Sequence, residues 1–461
     1  MNNRQLKKTT MKLIGFIFVL YIFAMFCLNC QVNTQHNSTG SAGTNNITKV
    51  YYNSNEPPKP GQKSLLIVFD GTLSMTKDLE QLRIAAREII NDFSNRKDNS
   101  IYNYVLVVFR DPDIEDAINT RNPNDIMILL DQLVLDSSKN TDCPEPAVSG
   151  LNKALKYALR YSYAYVFTDA TAKDYHLANI TEQLIQSTQT TVNFLTTDSC
   201  NEPSHIRYKI YGEIAGKNGQ VFNVPRNELS RVVSNMKVQL DQKFSSMNSI
   251  NVGKAGKIKI PFFVDSTMSD VRISLSGSSP KMIIQDPNSE YVTVKDLVLS
   301  NLEFVHIENP LPGKWQLTAT SASDFSVRMG AISTVRFDFG FSLERPSKAS
   351  ETLFQPLKGQ KNILSIFVSN PELLKSLTSV TIISNEDKGI SSRKRREARE
   401  NTLELTKISD NIYVTQAFEF PDELFSILLD GTDISGNQME RLISSSVRAI
   451  TPSMNLILRF R

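Results

Sequence analysis

The chain has 461 residues, 40% of them hydrophobic and 21% charged, with 19 glycines and 19 prolines. These are ordinary globular proportions. They exclude a mostly disordered chain and collagen-like or elastin-like repeats, and the length predicts about three domains. The formal net charge is +3, but Arg4, Lys7, Lys8 and Lys12 all precede Cys30 with no acid among them. Without that segment the charge is −1, and nothing basic remains to favour nucleic acid.

Behind those four basic residues, Leu13 to Leu28 forms an apolar run unbroken by charge. That is the layout of a secretory signal peptide, and it is short for a membrane span, which needs about 20 apolar residues. Residues 1–30 are expected to be a signal peptide. An uncleaved signal anchor is the alternative, because Leu28 is large for the −3 position of a cut at Cys30. The charged end Leu456 to Arg461 speaks against a tail-type lipid anchor. Residues 31–62, rich in Asn, Ser, Thr, Gly and Pro, read as a flexible lead-in with glycosylation acceptors at Asn37 and Asn46, and Asn179 is a third. Cys27 and Cys30 fall in or beside the signal, leaving Cys143 and Cys200. Outside the cell such a pair forms one disulfide; two separate buried thiols are the alternative.

Residues 63–245 alternate short aliphatic runs with longer amphipathic ones. Strands are predicted at Leu65–Phe69, Tyr104–Phe109, Tyr163–Phe167, Thr191–Thr196 and Gln220–Asn223. Helices are predicted at Asp78–Asn95, Pro146–Tyr161, Asp174–Ser187, His205–Ala215 and Arg226–Phe244. This order predicts an α/β fold, a doubly wound and mainly parallel sheet covered on both faces. Ligands bind such sheets at the carboxyl ends of the strands.

The period changes to two across residues 250–345, with strands expected at 257–264, 271–275, 281–284, 304–307, 313–318 and 325–329. That spacing predicts a β-sandwich, immunoglobulin-like in class. A weaker pattern over 346–461, at 362–368, 379–383 and 412–415, predicts a second β-rich domain. Trp315, the single tryptophan, is expected in the sandwich core.

Chemistry gathers at the carboxyl ends of the α/β strands. Asp70, Thr72 and Ser74 follow the first strand as Asp-x-Thr-x-Ser, offering one carboxylate and two hydroxyls on one loop. Alone, these residues fit a turn and a helix cap. Asp169 follows the strand ending at Phe167, and Glu145 precedes the helix starting near Pro146. Three acids on neighbouring loops repel one another unless a cation sits between them, and hard divalent cations take such oxygen ligands.

This constellation resembles a von Willebrand factor A domain and its metal-ion-dependent adhesion site. Asp70, Thr72 and Ser74 match the Asp-x-Ser-x-Ser loop, with threonine in the first hydroxyl slot, and Asp169 matches the later aspartate. Glu145 falls where many such domains place threonine, in an Asp-x-Pro-Glu form similar to integrin β-subunits, where the glutamate is a ligand. The resemblance implies Mg²⁺, or Mn²⁺ or Ca²⁺, on Asp70, Thr72, Ser74, Glu145 and Asp169, with an acidic side chain of an extracellular partner completing the shell. The extra carboxylate makes the cation less electrophilic, and Asp142 could help a second one.

Phe109–Asp113, Asp142–Glu145, Tyr165–Ala170, Lys173–Tyr175 and Gly219–Phe222 together look like the A domain of hemicentins, large extracellular-matrix proteins. The similarity continues through Leu275–Pro280, Asn309–Trp315 and Asp338–Ser342 and thins after Arg345. It implies that Cys143 and Cys200 flank the site, where a disulfide would stiffen its rim. Hemicentins continue into long immunoglobulin arrays and EGF-like modules, whereas this sequence stops at Arg461. It therefore reads as a short hemicentin-like protein, a fragment or an incomplete gene product.

Arg393 to Arg396 is a basic run, read as a solvated loop, a proprotein-convertase cut after Arg396, or a polybasic heparin contact. The four histidines lack zinc-hydrolase spacing, no Gly-x-Ser-x-Gly occurs, and Ser74 has no motif-level histidine partner. The expected function is a secreted, non-enzymatic matrix or cell-adhesion protein, with matrix components among its partners and its β segments as stalk or assembly surface. A membrane-tethered receptor follows if residues 13–28 are retained. A secreted metal-dependent hydrolase would need a base that no motif marks.

Overall fold

The structure is a computed structural model that describes residues 57–59, 61–94, 100–135, 143–197, 205–292, 295–384 and 401–451. The Leu13–Leu28 run, Asn37, Asn46, Asp142, Cys200 and Arg396 lie outside them. Among the described residues no helix is long and apolar enough to cross a membrane.

The first segment runs β1 (Lys63–Asp70), α1 (Thr76–Ser94), β2 (Ile101–Arg110), β3 (Asp113–Ile114), β4 (Ile118–Thr120), α2 (Pro123–Gln132), α3 (Ala147–Leu155), β5 (Tyr163–Thr168), α4 (Ala178–Thr188), β6 (Thr191–Thr196), α5 (His205–Ala215), β7 (Gln220–Asn223) and α6 (Leu229–Met236). The sheet order is β3-β2-β1-β5-β6-β7, with β4 also on β2. β1, β2, β5, β6 and β7 pair in parallel, while β3 and β4 run antiparallel to β2. The continuous aliphatic run of β1 serves two layers, because alternate residues face opposite sides. Leu65, Ile67 and Phe69 pack with α1, α2 and α6, while Leu66 and Val68 pack with α3 and α5. Strand order reverses at β1, between β2 and β5, which makes the β1/β5 crevice the switch point where such sheets bind ligands.

Three helices differ at their ends from the periodicity reading. The helix expected to reach Tyr161 stops at Leu155, and the one expected from Asp174 begins as a 3₁₀ turn before Ala178. The one expected over Arg226–Phe244 is helical from Leu229 to Met236, between 3₁₀ turns, and Phe244 opens a strand. Apolar residues continue past each end, so periodicity alone extends the helix. Helix α2 went unread although Asn122 caps it by accepting from Asn124 N–H at 3.2 Å, with Pro123 in its first turn.

The next segment has two antiparallel sheets. One is β13 (Leu297–Val298), β14 (Leu302–Glu308), β10 (Met268–Ser276), β16 (Phe325–Ser333) and β8 (Phe244–Val252). The other is β12 (Tyr291–Val292), β11 (Lys281–Gln285), β15 (Gly313–Ser321) and β9 (Gly256–Val264). Trp315 is in the core between them, stacked on Phe262 and donating its indole N–H to the Leu311 carbonyl at 2.8 Å.

The last segment pairs β17 (Arg336–Ser342), β18 (Lys361–Ser369), β22 (Ile412–Val414) and β21 (Thr406–Ser409) against β20 (Thr402–Glu404), β19 (Leu374–Ser384), β24 (Phe425–Asp433) and β25 (Gln438–Val447). Strand β23 (Phe418–Glu419) also pairs with β18. Because β17 pairs with β18, this segment starts near Arg336 rather than at residue 346.

The β segments fold back on the α/β segment rather than projecting as a stalk. Phe304 stacks on Phe222 at 6.0 Å, Gln220 donates to Ser326, and Arg328 donates to the Gly216 and Gly219 carbonyls beyond α5. The last segment grips both others. Tyr161 O–H donates to Asp338 at 2.6 Å, Ser444 O–H to Gln189 at 2.7 Å, and Ser266 N–H to Asp433 at 2.7 Å. Arg441 and Asp265, both fully buried, pair at 2.5 Å across the two sandwiches.

Breaking a buried pair strands an uncompensated charge, whereas replacing both partners by apolar residues is near neutral. Arg441→Ala should therefore cost about 3–5 kcal/mol in denaturant unfolding. Asp265→Leu combined with Arg441→Met should recover most of that loss.

Candidate metal centre

Asp70 ends β1 and is fully buried. Its carboxylate accepts from Thr72 Oγ1 at 2.7 Å and Thr72 N–H at 3.1 Å on Oδ1, and from Thr168 Oγ1 at 2.8 Å on Oδ2. Thr72 Oγ1 lies 3.0 Å from Ser74 Oγ, so one hydroxyl chain runs from the buried carboxylate to an exposed serine. Gly71 allows the loop to turn here. Its N–H donates to the Phe109 carbonyl at 2.7 Å, and a Cβ on it would lie 2.7 Å from Val108 Cγ1.

Glu145 reaches the same edge from the loop before α3. It bridges in parallel to Ala172, with its N–H on the Thr171 carbonyl and its own carbonyl accepting from Lys173 N–H. Asp174 reinforces this junction by accepting from Val148 and Ser149 N–H at the start of α3, where the helix dipole favours an anion. The Glu145 side chain is 2% exposed, and Oε2 accepts from Asp111 N–H at 2.8 Å. Burial and then the Asp70 charge push its carboxyl up to about 8. Burial pushes Asp70 up to about 6, against the pull of the Thr72 and Thr168 hydroxyls, with Asp169 adding to the rise.

Asp169 lies on the same edge but is already partnered. Arg226 Nη2 donates to its Oδ2 at 2.7 Å, Arg226 Nη1 donates to the Ser74 carbonyl at 2.6 Å, and Arg226 Nε lies 3.6 Å from buried Asp78. A cation is therefore not the sole counter-charge available to the three acids, since an arginine takes one of them. Thr168, Arg226, Asp78 and Asp111 were not read from the sequence. Thr168 precedes the expected aspartate, while Arg226 and Asp78 carry no motif signal and reach the site only through the fold.

Asp70 and Glu145 are different: among the described residues, no basic side chain forms an ion pair with either. Lys173, whose charge partly opposes the rise at Glu145, pairs with Asp111. Among the described residues no group of three or more His, Cys, Asp or Glu converges as a metal site. The donor set is instead two buried carboxylates with the Thr72 and Ser74 hydroxyls, hard oxygen donors of the kind Mg²⁺ and Ca²⁺ take. Those residues fit a divalent cation. Cys143, two positions before Glu145, is disulfide-bonded. Asn179 is exposed at the start of α4, while Thr181 of its acceptor triplet is buried and donates to the Leu177 carbonyl.

Residues 64–226 match the von Willebrand factor A domain family, and residues 247–334 match the hemicentin galactose-binding domain-like family. Hemicentin-1 of Mus musculus is 31% identical over 410 residues, covering 85% of this chain and 7% of the relative. Hemicentin-2 of Mus musculus is 29% identical over 413 residues, covering 87% and 8%. Von Willebrand factor A domain-containing protein 7 of Mus musculus is 25% identical, covering 66% and 36%. The chain thus spans less than a tenth of the hemicentins it matches. Among solved structures, proximal thread matrix protein 1 from the mussel byssus, with a zinc-occupied MIDAS motif, is 15% identical at a TM-score of 0.28, covering 42% of this chain and 50% of that one. The pilus adhesin SpaC of Lactobacillus rhamnosus GG is 8% identical at 0.31, covering 85% and 72%. Overlaps this slight carry no weight for function. The two family matches, the switch-point site and the curated relatives agree: the chain is hemicentin-like and carries a von Willebrand factor A domain followed by a hemicentin galactose-binding-like domain.

Proposed function

We propose that this is a secreted, non-enzymatic adhesion protein of the extracellular matrix. It binds a protein partner, or a matrix component, through a divalent cation on the α/β segment. The observation that carries this reading is the pair of buried carboxylates, Asp70 and Glu145, without a basic ion-pair partner among the described residues, with Asp70 joined through the Thr72 hydroxyl to exposed Ser74. Mg²⁺ is the favoured ion, with Mn²⁺ and Ca²⁺ as substitutes, held by Asp70, Thr72, Ser74 and Glu145 directly or through water. Asp169, engaged by Arg226, acts through water or by orienting the loop. Such a cation supplies a Lewis-acidic position that an acidic side chain of the partner can fill. In the same reading Cys143 pairs with Cys200, Asn37, Asn46 and Asn179 carry glycans, and residues 1–30 are removed. Retention of residues 13–28 would make the molecule a tethered receptor instead, which amino-terminal sequencing of the mature protein decides.

Partner capture from extracellular extract should require Mg²⁺ and disappear in chelator and in Asp70→Ala, with the fold unchanged by circular dichroism. Capture that persists in chelator rejects the mechanism.

Stability should show the same site from within. Without a cation, Asp70 and Glu145 hold their protons to about pH 6 and about pH 8 in the folded state, well above their ordinary values. Across that window the folded chain binds more protons than the unfolded one, so stability falls as pH rises. Thermal unfolding in chelator should therefore show a melting point that drops from pH 5 to pH 8. Saturating Mg²⁺ should flatten the slope by replacing the protons.

The Arg393 to Arg396 run is read as a solvated loop, and its alternative, cleavage after Arg396, has a distinct signature. The basic run lies between β19 and β20, and β18–β22, β19–β20 and β19–β24 pairing spans it. All four cysteines precede it. A cut chain should elute as one species in native gel filtration and give two bands on a denaturing gel without reductant. A single intact band rejects cleavage.

A further inference from the structure

A cavity of about 580 Å³ opens where the α/β segment meets both β segments, at the opposite end of β1 from the Asp70 loop. That volume suits a small-molecule site. Its described lining carries six basic side chains, Lys63, Arg160, Lys217, Arg272, Arg328 and Arg336, against one acid, Asp338. Several of these are committed elsewhere. Arg328 spends its guanidinium on the Gly216, Gly219, Val327 and Ile250 carbonyls. Arg272 pairs with Asp270 and Asp296. Arg160 lies over the Phe354 ring and 3.9 Å from Asp338, which also accepts from Tyr161 O–H.

Lys217 is likewise engaged, which leaves Lys63 and Arg336. Lys63 is 7% exposed, lies over the Tyr163 ring at 5.0 Å, and donates to the Gln239 and Asp241 carbonyls at 3.3 and 3.1 Å, which leaves one of its three N–H groups without a hydrogen-bond acceptor. Burial holds its ammonium down to about 8; Asp241 opposes this, and the neighbouring Arg336 charge adds to it. The Arg336 guanidinium has no carboxylate or carbonyl partner among the described residues. Gly61, at φ +85°, makes room for it, since a Cβ there would lie 2.9 Å from Nη1. Two like charges thus sit together in a walled space with a free fork of donors. Charge-assisted hydrogen bonds from arginine favour planar or tetrahedral oxyanions in this setting.

We propose that this junction cavity binds an oxyanion, sulfate or phosphate, free or as an ester on a small sugar, between Lys63 and Arg336. Bound there it would bridge all three segments, because Lys63 opens β1, Arg336 opens β17, and Arg328 and Arg272 reach the cavity from the middle sandwich. The site is independent of the cation site, so failure of either leaves the other standing.

The test uses the full chain in chelator, with titration calorimetry and thermal unfolding. Sodium sulfate and sodium phosphate are compared with sodium chloride at equal ionic strength, and glucosamine 6-sulfate is a third probe. Sulfate or phosphate should bind saturably and raise the melting point above chloride. Arg336→Gln should weaken binding about tenfold or more, and Arg336→Lys should recover part of the loss. Tighter binding of the sugar sulfate than of inorganic sulfate would identify a sulfated glycan as the source, and equal binding a free anion. General exclusion of sulfate from protein surfaces stabilises any fold. Equal shifts in wild type and Arg336→Gln, or no saturable heat in wild type, would therefore overturn the proposal.

Discussion

Two buried carboxylates without a basic ion-pair partner among the described residues set the terms for the α/β segment. Asp70 stands at the end of the strand where sheet order reverses, and Glu145 reaches it from the loop before α3. A buried carboxylate keeps its charge only if something nearby compensates it. At this edge the protein supplies hydroxyls and two backbone N–H groups, which stabilise a charge without neutralising it. Protons or a cation must do the rest. The surrounding contacts fix the loops that carry the pair: Gly71 against Val108, the Glu145–Ala172 bridge, Asp174 at the start of α3, and the Cys143 disulfide.

Arg226 divides the acidic edge into two parts. By holding Asp169, the Ser74 carbonyl and Asp78 together, it ties the loops after β1 and β5 to the 3₁₀ turn before α6. Asp169 is thereby neutralised within the protein while Asp70 and Glu145 are not. That asymmetry places the cation demand on the Asp70–Glu145 side. Elsewhere, Phe304 against Phe222, Arg328 beyond α5, and Arg441 on Asp265 join the three segments into one set of contacts.

Much of this was legible in the sequence where local pattern and tertiary role coincide. The β1 run Leu65–Phe69 reads as buried on both faces because it is, and Asp-x-Thr-x-Ser reads as a loop facing one point because Thr72 and Ser74 do bond in series from Asp70. Trp315 reads as core from its strand alone. The failures arise where tertiary contacts override period. Apolar residues beyond Leu155 and Met236 continue a helical stripe while the chain turns away. Strand β17 joins the last segment through partners near residue 365 that lie far ahead in sequence. Arg226, Thr168 and the Lys63–Arg336 pair meet their partners only after folding, so spacing carries no trace of them.

The account's central claim is that a divalent cation occupies the Asp70–Glu145 site, and anomalous diffraction tests it most directly. Crystals grown with Mn²⁺ and measured at the manganese edge should show one strong anomalous peak within bonding distance of Asp70 or Glu145 and of the Ser74 hydroxyl. An Asp70→Ala crystal should lack it. A fully ordered Asp70 loop with no anomalous peak at saturating Mn²⁺, or a peak elsewhere alone, would contradict the account.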